Sequence, residues 1–191
     1  MSNATISGII LAGGKATRMG GIDKGLQTLK GIPLIQRVIG RMRPQVDHLM
    51  INANRNLVSY TELGYPVVQD AIVGLPGPLA GLHAGLLAAR EGWVVSAPCD
   101  CPYLPTDLVA RLRAALDGHP VQLAIAVADG RAHPVFAMCH TELQAQLEAF
   151  LLSGGRRVMQ WCAAMGALEV DFSDQAAAFR NFNTVDDLLN E

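Results

Sequence analysis

Two of the chain's three lysines, Lys15 and Lys24, share one glycine-rich stretch with Arg18: Leu11-Ala-Gly-Gly-Lys15-Ala-Thr-Arg18-Met-Gly-Gly-Ile-Asp23-Lys24-Gly-Leu26. Glycine admits positive φ and lets successive backbone N–H groups turn toward one anion. Cations placed where those N–H groups converge make the chemistry of a polyphosphate cradle. The stretch is not a Walker A loop, since no G-x-x-x-x-G-K-[ST] occurs and Lys24 follows Asp23. Nor is it G-x-G-x-x-G, so a dinucleotide fingerprint has no support. A plain surface loop with stray cations is the competing reading. The clustering argues against it, because only 17% of the residues are charged, against a usual share of roughly 25%.

A cradle needs rigid elements to hold it. Ile6–Ala12 is short, apolar and ends at glycine, as a buried strand does. Pro33–Arg43 carries Leu34, Val38 and Met42 at helical spacing, with Arg41 and Arg43 in its last turn and Pro44 behind it. The alternation continues with a strand at Leu49–Asn52, a helix at Asn56–Leu63, a strand at Pro66–Gln69 and a loop at Asp70–Pro78. Leu79–Arg90 reads as a helix, Trp93–Ala97 as a strand and Pro105–Leu116 as a helix. Val121–Ala128 and Val135–His140 read as strands, Glu142–Leu151 and Arg156–Met165 as helices, Leu168–Phe172 as a strand and Val185–Leu189 as a short helix. This order predicts an α/β fold, a mainly parallel sheet flanked by helices. Ligands of such sheets bind beyond the carboxyl ends of the strands. Asp70 and Asp100 both fall there, each just after a predicted strand.

The chain has 191 residues and 20.4 kDa, half of them apolar, without repeats or a Ser/Gly linker, so one domain over 1–191 is expected. No run approaches the roughly 18 apolar residues of a membrane span. No charged segment followed by an apolar one opens the chain, which predicts no secretory signal. The net charge is −2 with no block of like charges, which disfavours nucleic acid as a partner. Cys99, Cys101, Cys139 and Cys162 are too few and too irregular for a disulfide or zinc framework. Buried free thiols in a reducing cytoplasm are the expectation.

The string L-A-G-G-x-x-x-R-M-G-x-x-K resembles the signature of the nucleotidyltransferase superfamily, which activates sugars and cofactors with nucleoside triphosphates. Together with INANR at 51–55, GPLAG at 77–81, PCD at 98–100 and NFNT at 181–184, the chain is similar to the molybdenum cofactor guanylyltransferases over nearly its whole length. The resemblance implies a Rossmann-like fold of the nucleotide-diphospho-sugar-transferase kind. Its nucleotide-binding part would lie at about 5–105 and its acceptor-binding part at about 106–191. It implies GTP and molybdenum-molybdopterin as substrates and Mg²⁺ as cofactor. It also implies transient contact with proteins that deliver or accept the molybdenum cofactor. Leu11, Ala12, Gly13 and Gly14 match the family's nucleotide-binding turn, and Lys24 its phosphate-contacting lysine. Asn52 and Asp70 match GTP-contact positions, and Asp100 matches the magnesium ligand.

Mg²⁺ keeps several waters, so Asp100 plus phosphate oxygens can suffice to hold it. Asp100 could instead cap the turn before Pro102. Asp70 could accept from the N1 and N2 edge of guanine, bind ribose, or order the loop at 74–78. Arg18, Lys24 and Asp100 form the expected catalytic set. Arg156, Arg157, Asn181 and Asn183 are candidates for the acceptor side, with surface arginines and a capping asparagine as the ordinary alternatives. His133 is a weaker candidate there and fits a core histidine equally. Two other functions remain open on these residues: a cytidylyltransferase acting on molybdopterin or a sugar alcohol phosphate, and a GTP-binding module without turnover.

Overall fold

The structure is a computed structural model and describes residues 4–13, 23–72, 74, 77–182 and 187–188. In chain order its strands are β1 (Ile6–Leu11), β2 (Thr28–Leu29), β3 (Ile32–Pro33), β4 (His48–Asn52), β5 (Val67–Val68), β6 (Trp93–Pro98), β7 (Leu123–Ala128), β8 (Arg131–His140) and β9 (Leu168–Asp171). The helices are α1 (Leu34–Met42), α2 (Leu57–Thr61), α3 (Pro78–Ala89), α4 (Leu108–Leu116), α5 (Gln144–Leu152) and α6 (Val158–Ala164).

Seven strands form one sheet in the order β5-β4-β1-β6-β8-β7-β9. β1 pairs in parallel with β4 on one side and β6 on the other, and only β8 runs against the rest. From β1 the chain builds outward to β4 and β5, then crosses to β6. Strand order therefore reverses at β1, where an α/β sheet opens a crevice at its carboxyl edge.

β1 is central because both of its faces are apolar. Ile9 and Ile10 are fully buried and point to opposite sides. Ile10 meets α1 and α4 through Ile35, Val38, Met42, Leu108 and Leu112. Ile9 meets α3, α5 and α6 through Leu82, Leu86, Leu147 and Trp161. In α3, eight consecutive residues from Leu79 to Leu86 are buried, so its apolar character runs all the way round. Small residues let it lie close to the sheet. A Cβ on Gly85 would come within 2.8 Å of Ile9 Cδ1, and one on Gly81 within 2.4 Å of Asn52 Oδ1.

The mainly parallel sheet with helices on both faces agrees with the reading of the sequence, and several boundaries are corrected. Pro33 closes β3 and caps α1 instead of lying inside the helix. The two-stranded pair β2–β3 was too short to register as a period-2 pattern. β8 begins at Arg131, not Val135, because pairing with β7 carries it through His133 and Pro134 past a register shift at Ile125/Ala126. The predicted 156–165 and 105–116 helices shorten to α6 and α4. A one-turn 3-10 segment at Thr141–Leu143 precedes α5, and Ser173–Phe179 forms a kinked 3-10 run that the sequence reading missed. Of the helix expected at 185–189, only 187–188 are among the described residues. No described helix is long and apolar enough to cross a membrane.

Two substitutions test helix packing, one in α3 and one in α1. Gly81→Ala overpacks the contact with Asn52 and Leu11 and should cost about 1–3 kcal/mol. Gly40→Ala in α1, where a Cβ meets nothing within 4 Å, should stabilise by about 0.5–1 kcal/mol. Thermal melts of both proteins check this, and a Gly81→Ala midpoint at or above that of the parent would contradict it.

Stability should also depend on pH near neutrality. Burial lowers the pKa of His83, which is 1% exposed, and burial together with Arg131 lowers that of His133. The unfolded chain therefore takes up protons that the folded one refuses. Their contribution is complete above the unfolded value of about 6.5 and is lost progressively as pH falls from there toward the lowered folded values. The melting midpoint should be level from pH 8 to 7 and decline between pH 6.5 and 5.5. A flat profile down to pH 5 would refute the assignment.

Candidate active site

Four strand ends, those of β1, β4, β5 and β6, are tied together at one level. Ala12 N–H donates to Asn52 O at 2.8 Å, Ala53 N–H to Val68 O at 3.1 Å, and Cys99 N–H to Leu11 O at 3.1 Å. Leu11, Asn52, Asp70 and Asp100 are thereby brought round one opening. β8 runs the other way, so its first half reaches the same edge and supplies Val135. The C-terminal segment arrives through Phe182, whose N–H donates to Asp100 O at 2.9 Å. Its ring packs with Leu29, Leu34 and Tyr103.

The resulting cavity holds about 410 Å³, a volume within the range of small-molecule sites. Leu11, Ala12, Gly13, Lys24, Asn52, Asp70, Asp100 and Asn181 all line it. Its apolar wall comes from Leu11, Pro78, Pro98 and Val135. Gly14, Arg18 and Asn183, also expected here, lie outside the described residues.

Asp100 is 7% exposed. Lys24 Nζ stands 3.6 Å from its Oδ2, and Asn181 Nδ2 donates to its Oδ1 at 3.2 Å. Burial raises the Asp100 pKa, while Lys24 and then Asn181 pull it back down. The site thus holds a carboxylate that prefers a positive partner, beside the cation that supplies one. Lys24 opens a single 3-10 turn, Lys24–Leu26, which Asp23 caps by accepting from Gly25 N–H at 3.2 Å.

Asp70 is held by two amides. Its Oδ1 accepts from Asn52 Nδ2 at 2.9 Å, and its Oδ2 from Asn54 Nδ2 at 2.8 Å. Its own N–H donates to Asn54 Oδ1 at 2.9 Å. These bonds fix both amides and the carboxylate. A Cβ on Gly13 would lie 2.9 Å from Asn54 Nδ2 and 3.0 Å from Asn52 Oδ1, so only glycine passes freely here.

The other candidates are not drawn in. Arg156 donates to Leu151 O and Gly155 O, closing the carboxyl end of α5, and Arg157 is the exposed N-cap residue of α6. Neither lines the cavity. His133 stacks on Phe179 at 4.7 Å, which fits its core reading. All four cysteines are buried and free, and burial raises each thiol pKa, that of Cys162 to about 11. They are inert at neutral pH.

Four residues were missed in the sequence: Asp23, Asn54, Asn56 and Tyr60. Asn54 was within reach, since it stands two positions after Asn52 and period-2 geometry puts both on one side. Asp23 was noted only as the neighbour of Lys24. Tyr60 reads as one apolar position of a short helix, and nothing local connects it to Asp23.

Positioned cation, buried carboxylate and glycine-lined backbone together suit phosphoryl or nucleotidyl transfer, where catalysis is alignment plus charge stabilisation. Known proteins agree. A family model described as the MobA-like NTP transferase domain matches residues 8–168. A molybdenum cofactor guanylyltransferase of Cupriavidus metallidurans is 48% identical over 98% of this chain and 95% of its own length. One from Yersinia pseudotuberculosis is 52% identical over 94% and 91%. Among solved structures, molybdopterin-guanine dinucleotide biosynthesis protein A from Archaeoglobus fulgidus matches with a TM-score of 0.78 at 23% identity, covering 96% of this chain and 95% of that one. The 4-diphosphocytidyl-2C-methyl-D-erythritol synthase of Anaerococcus prevotii matches at 0.72 and 14%, covering 98% and 96%. At such identities these two matches speak for the fold alone. The family model spans most of the chain and the curated relatives are about half identical at nearly full length, so this chain belongs to the MobA-like NTP transferase family.

Proposed function

We propose that the chain transfers GMP from GTP to molybdenum-molybdopterin. A phosphate oxygen of the molybdopterin bonds to the α-phosphorus, the α–β anhydride bond breaks, and pyrophosphate leaves. The observation that carries this reading is the Lys24–Asp100 pair, 3.6 Å apart in the cavity, in a chain about half identical to proteins named molybdenum cofactor guanylyltransferase. The reading includes a cytoplasmic location and transient contact with proteins that bring or take the molybdenum cofactor.

The acceptor phosphate is already anionic, so no strong general base is required. Ala12 N–H is taken by Asn52 O, so the N–H groups of Gly13 and Gly14 would cradle the phosphates, and Lys24 and Arg18 would stabilise charge building on the leaving pyrophosphate. Asp70, fixed by Asn52 and Asn54, keeps lone pairs free to accept from the base or ribose. Asn181 ties the acceptor side to Asp100.

Asp100 would hold Mg²⁺. The fit rests on its chemistry: a nearly buried carboxylate, unfavourable as an anion without cations, facing a cavity. Among the described residues no cluster of three or more His, Cys, Asp or Glu could hold a metal alone. Mg²⁺ does not demand one, since waters and substrate phosphates complete its octahedron. Bound there, it would neutralise triphosphate charge.

Two experiments test this. Thermal melts with GTP, CTP, ATP or UTP, with and without Mg²⁺, should give selective stabilisation by GTP with Mg²⁺. At 100 times Kd the gain is about 2.7 kcal/mol, or roughly 5–10 °C at this chain length. Preference for CTP would move the assignment to a cytidylyltransferase, and no response to any triphosphate would sink the cradle. Separately, Lys24→Ala and Asp100→Asn should each lower turnover about 100-fold or more. The Asp100→Asn midpoint should hold or rise, because a carboxylate penalised by burial has been removed. Near-parental turnover of Asp100→Asn would overturn the metal assignment.

A further inference from the structure

Asp23 lines the cavity, although a carboxylate there would repel a triphosphate. Its oxygens are not left open. Tyr60 OH donates to Oδ1 at 2.5 Å and Gly25 N–H to the same oxygen at 3.2 Å, while Asn56 Nδ2 donates to Oδ2 at 3.0 Å. Asn56 is the N-cap of α2 and Tyr60 lies four residues on, within the helix, so the cap and the body of this short helix grip one carboxylate. Asn56 holds a left-handed backbone, φ 50°, at the start of that helix. Tyr60 is fully buried, and its pKa is raised by burial first and then by Cys99 and Asp23, so the hydroxyl stays a donor. The fit is close on the other side too. A Cβ on Gly25 would lie 2.7 Å from Tyr60 Oη and 3.2 Å from Cys99 Sγ. Lys24 is the residue between the gripped carboxylate and this glycine.

We propose that Tyr60 of α2 and its N-cap Asn56 form a clamp that fixes Asp23 and thereby aims Lys24 into the cavity, making Tyr60 a positioning residue of the transfer reaction. The proposal rests on the guanylyltransferase reading. Three donors absorb the charge of Asp23, so Lys24 meets the triphosphate as an effective cation, and the capped turn sets the direction of its stem. Burying a hydroxyl without a partner is unfavourable. Phenylalanine would fill the same space, so what tyrosine adds at this position is the bond to Asp23.

The test is a double-mutant cycle on the full chain, with GTP and molybdenum-molybdopterin as substrates. Tyr60→Phe should lower kcat by about 10- to 100-fold, as displaced catalytic groups do. Its melting midpoint should fall by no more than about 5 °C. In the Lys24→Ala background, measured by single turnover, the same substitution should change the rate less than twofold. Asn56→Gly, which removes an exposed donor to the same carboxylate and tolerates the left-handed backbone, should give a smaller fall with the same non-additivity. Parental kcat in Tyr60→Phe, or losses that multiply in the double variant, would overturn the clamp. Parental turnover in Lys24→Ala would instead overturn the functional reading beneath it, which separates the two failures.

Discussion

A carboxylate that is 7% exposed and has a cation 3.6 Å away is the constraint on which the rest of this molecule depends. Asp100 is carried to its place by β6, and Lys24 arrives on the connection out of β1. The two meet because β1 and β6 are parallel neighbours in register from Ile6–Trp93 to Leu11–Pro98. Such a pair contributes little net stability, since the cost of desolvation offsets the attraction. Its value is chemical: charge of both signs held ready at the edge of a cavity, where an anionic substrate and a divalent cation can exchange partners with it.

The supporting elements form shells about that pair. Asn181 and Phe182 bring the C-terminal segment onto Asp100 from one side. α2 and Asp23 fix the Lys24 turn from the other. Further along the same edge, Asn52 and Asn54 hold Asp70, and the close approach of α3 at Gly81 fixes Asn52 in turn. Among the described residues, Lys24, Asp23, Asp70, Asp100 and Asn181 are each thus oriented by a partner on another segment. A site that works by alignment more than by covalent chemistry requires this.

Much of this was legible in the chain. The aspartates placed just after strands, and Lys24 beyond the apolar run, marked residues that the fold brings to one cavity. The strand–helix alternation foretold a parallel sheet. What stayed hidden depends on contacts distant in sequence. β8 opposes its neighbours, and a strand's direction is not written in its own residues. Its start at Arg131 is set by pairing with β7, against the local signal of Pro134. Tyr60 and Asp23 are 37 positions apart, so their bond has no sequence signature. Arg156 and Arg157 looked like an anion site because they precede a helix. In the fold, Arg156 is occupied by the carboxyl end of α5.

The central claim is that this cavity moves a nucleotidyl group, as distinct from merely binding GTP or hydrolysing it. The most direct measurement follows the label of GTP marked at the α-phosphate, incubated with the protein, Mg²⁺ and molybdenum-molybdopterin. The account predicts that the label passes to the molybdopterin as one pyrophosphate is released per transfer. Label that stays in GTP, or appears in GDP beside inorganic phosphate, would contradict it.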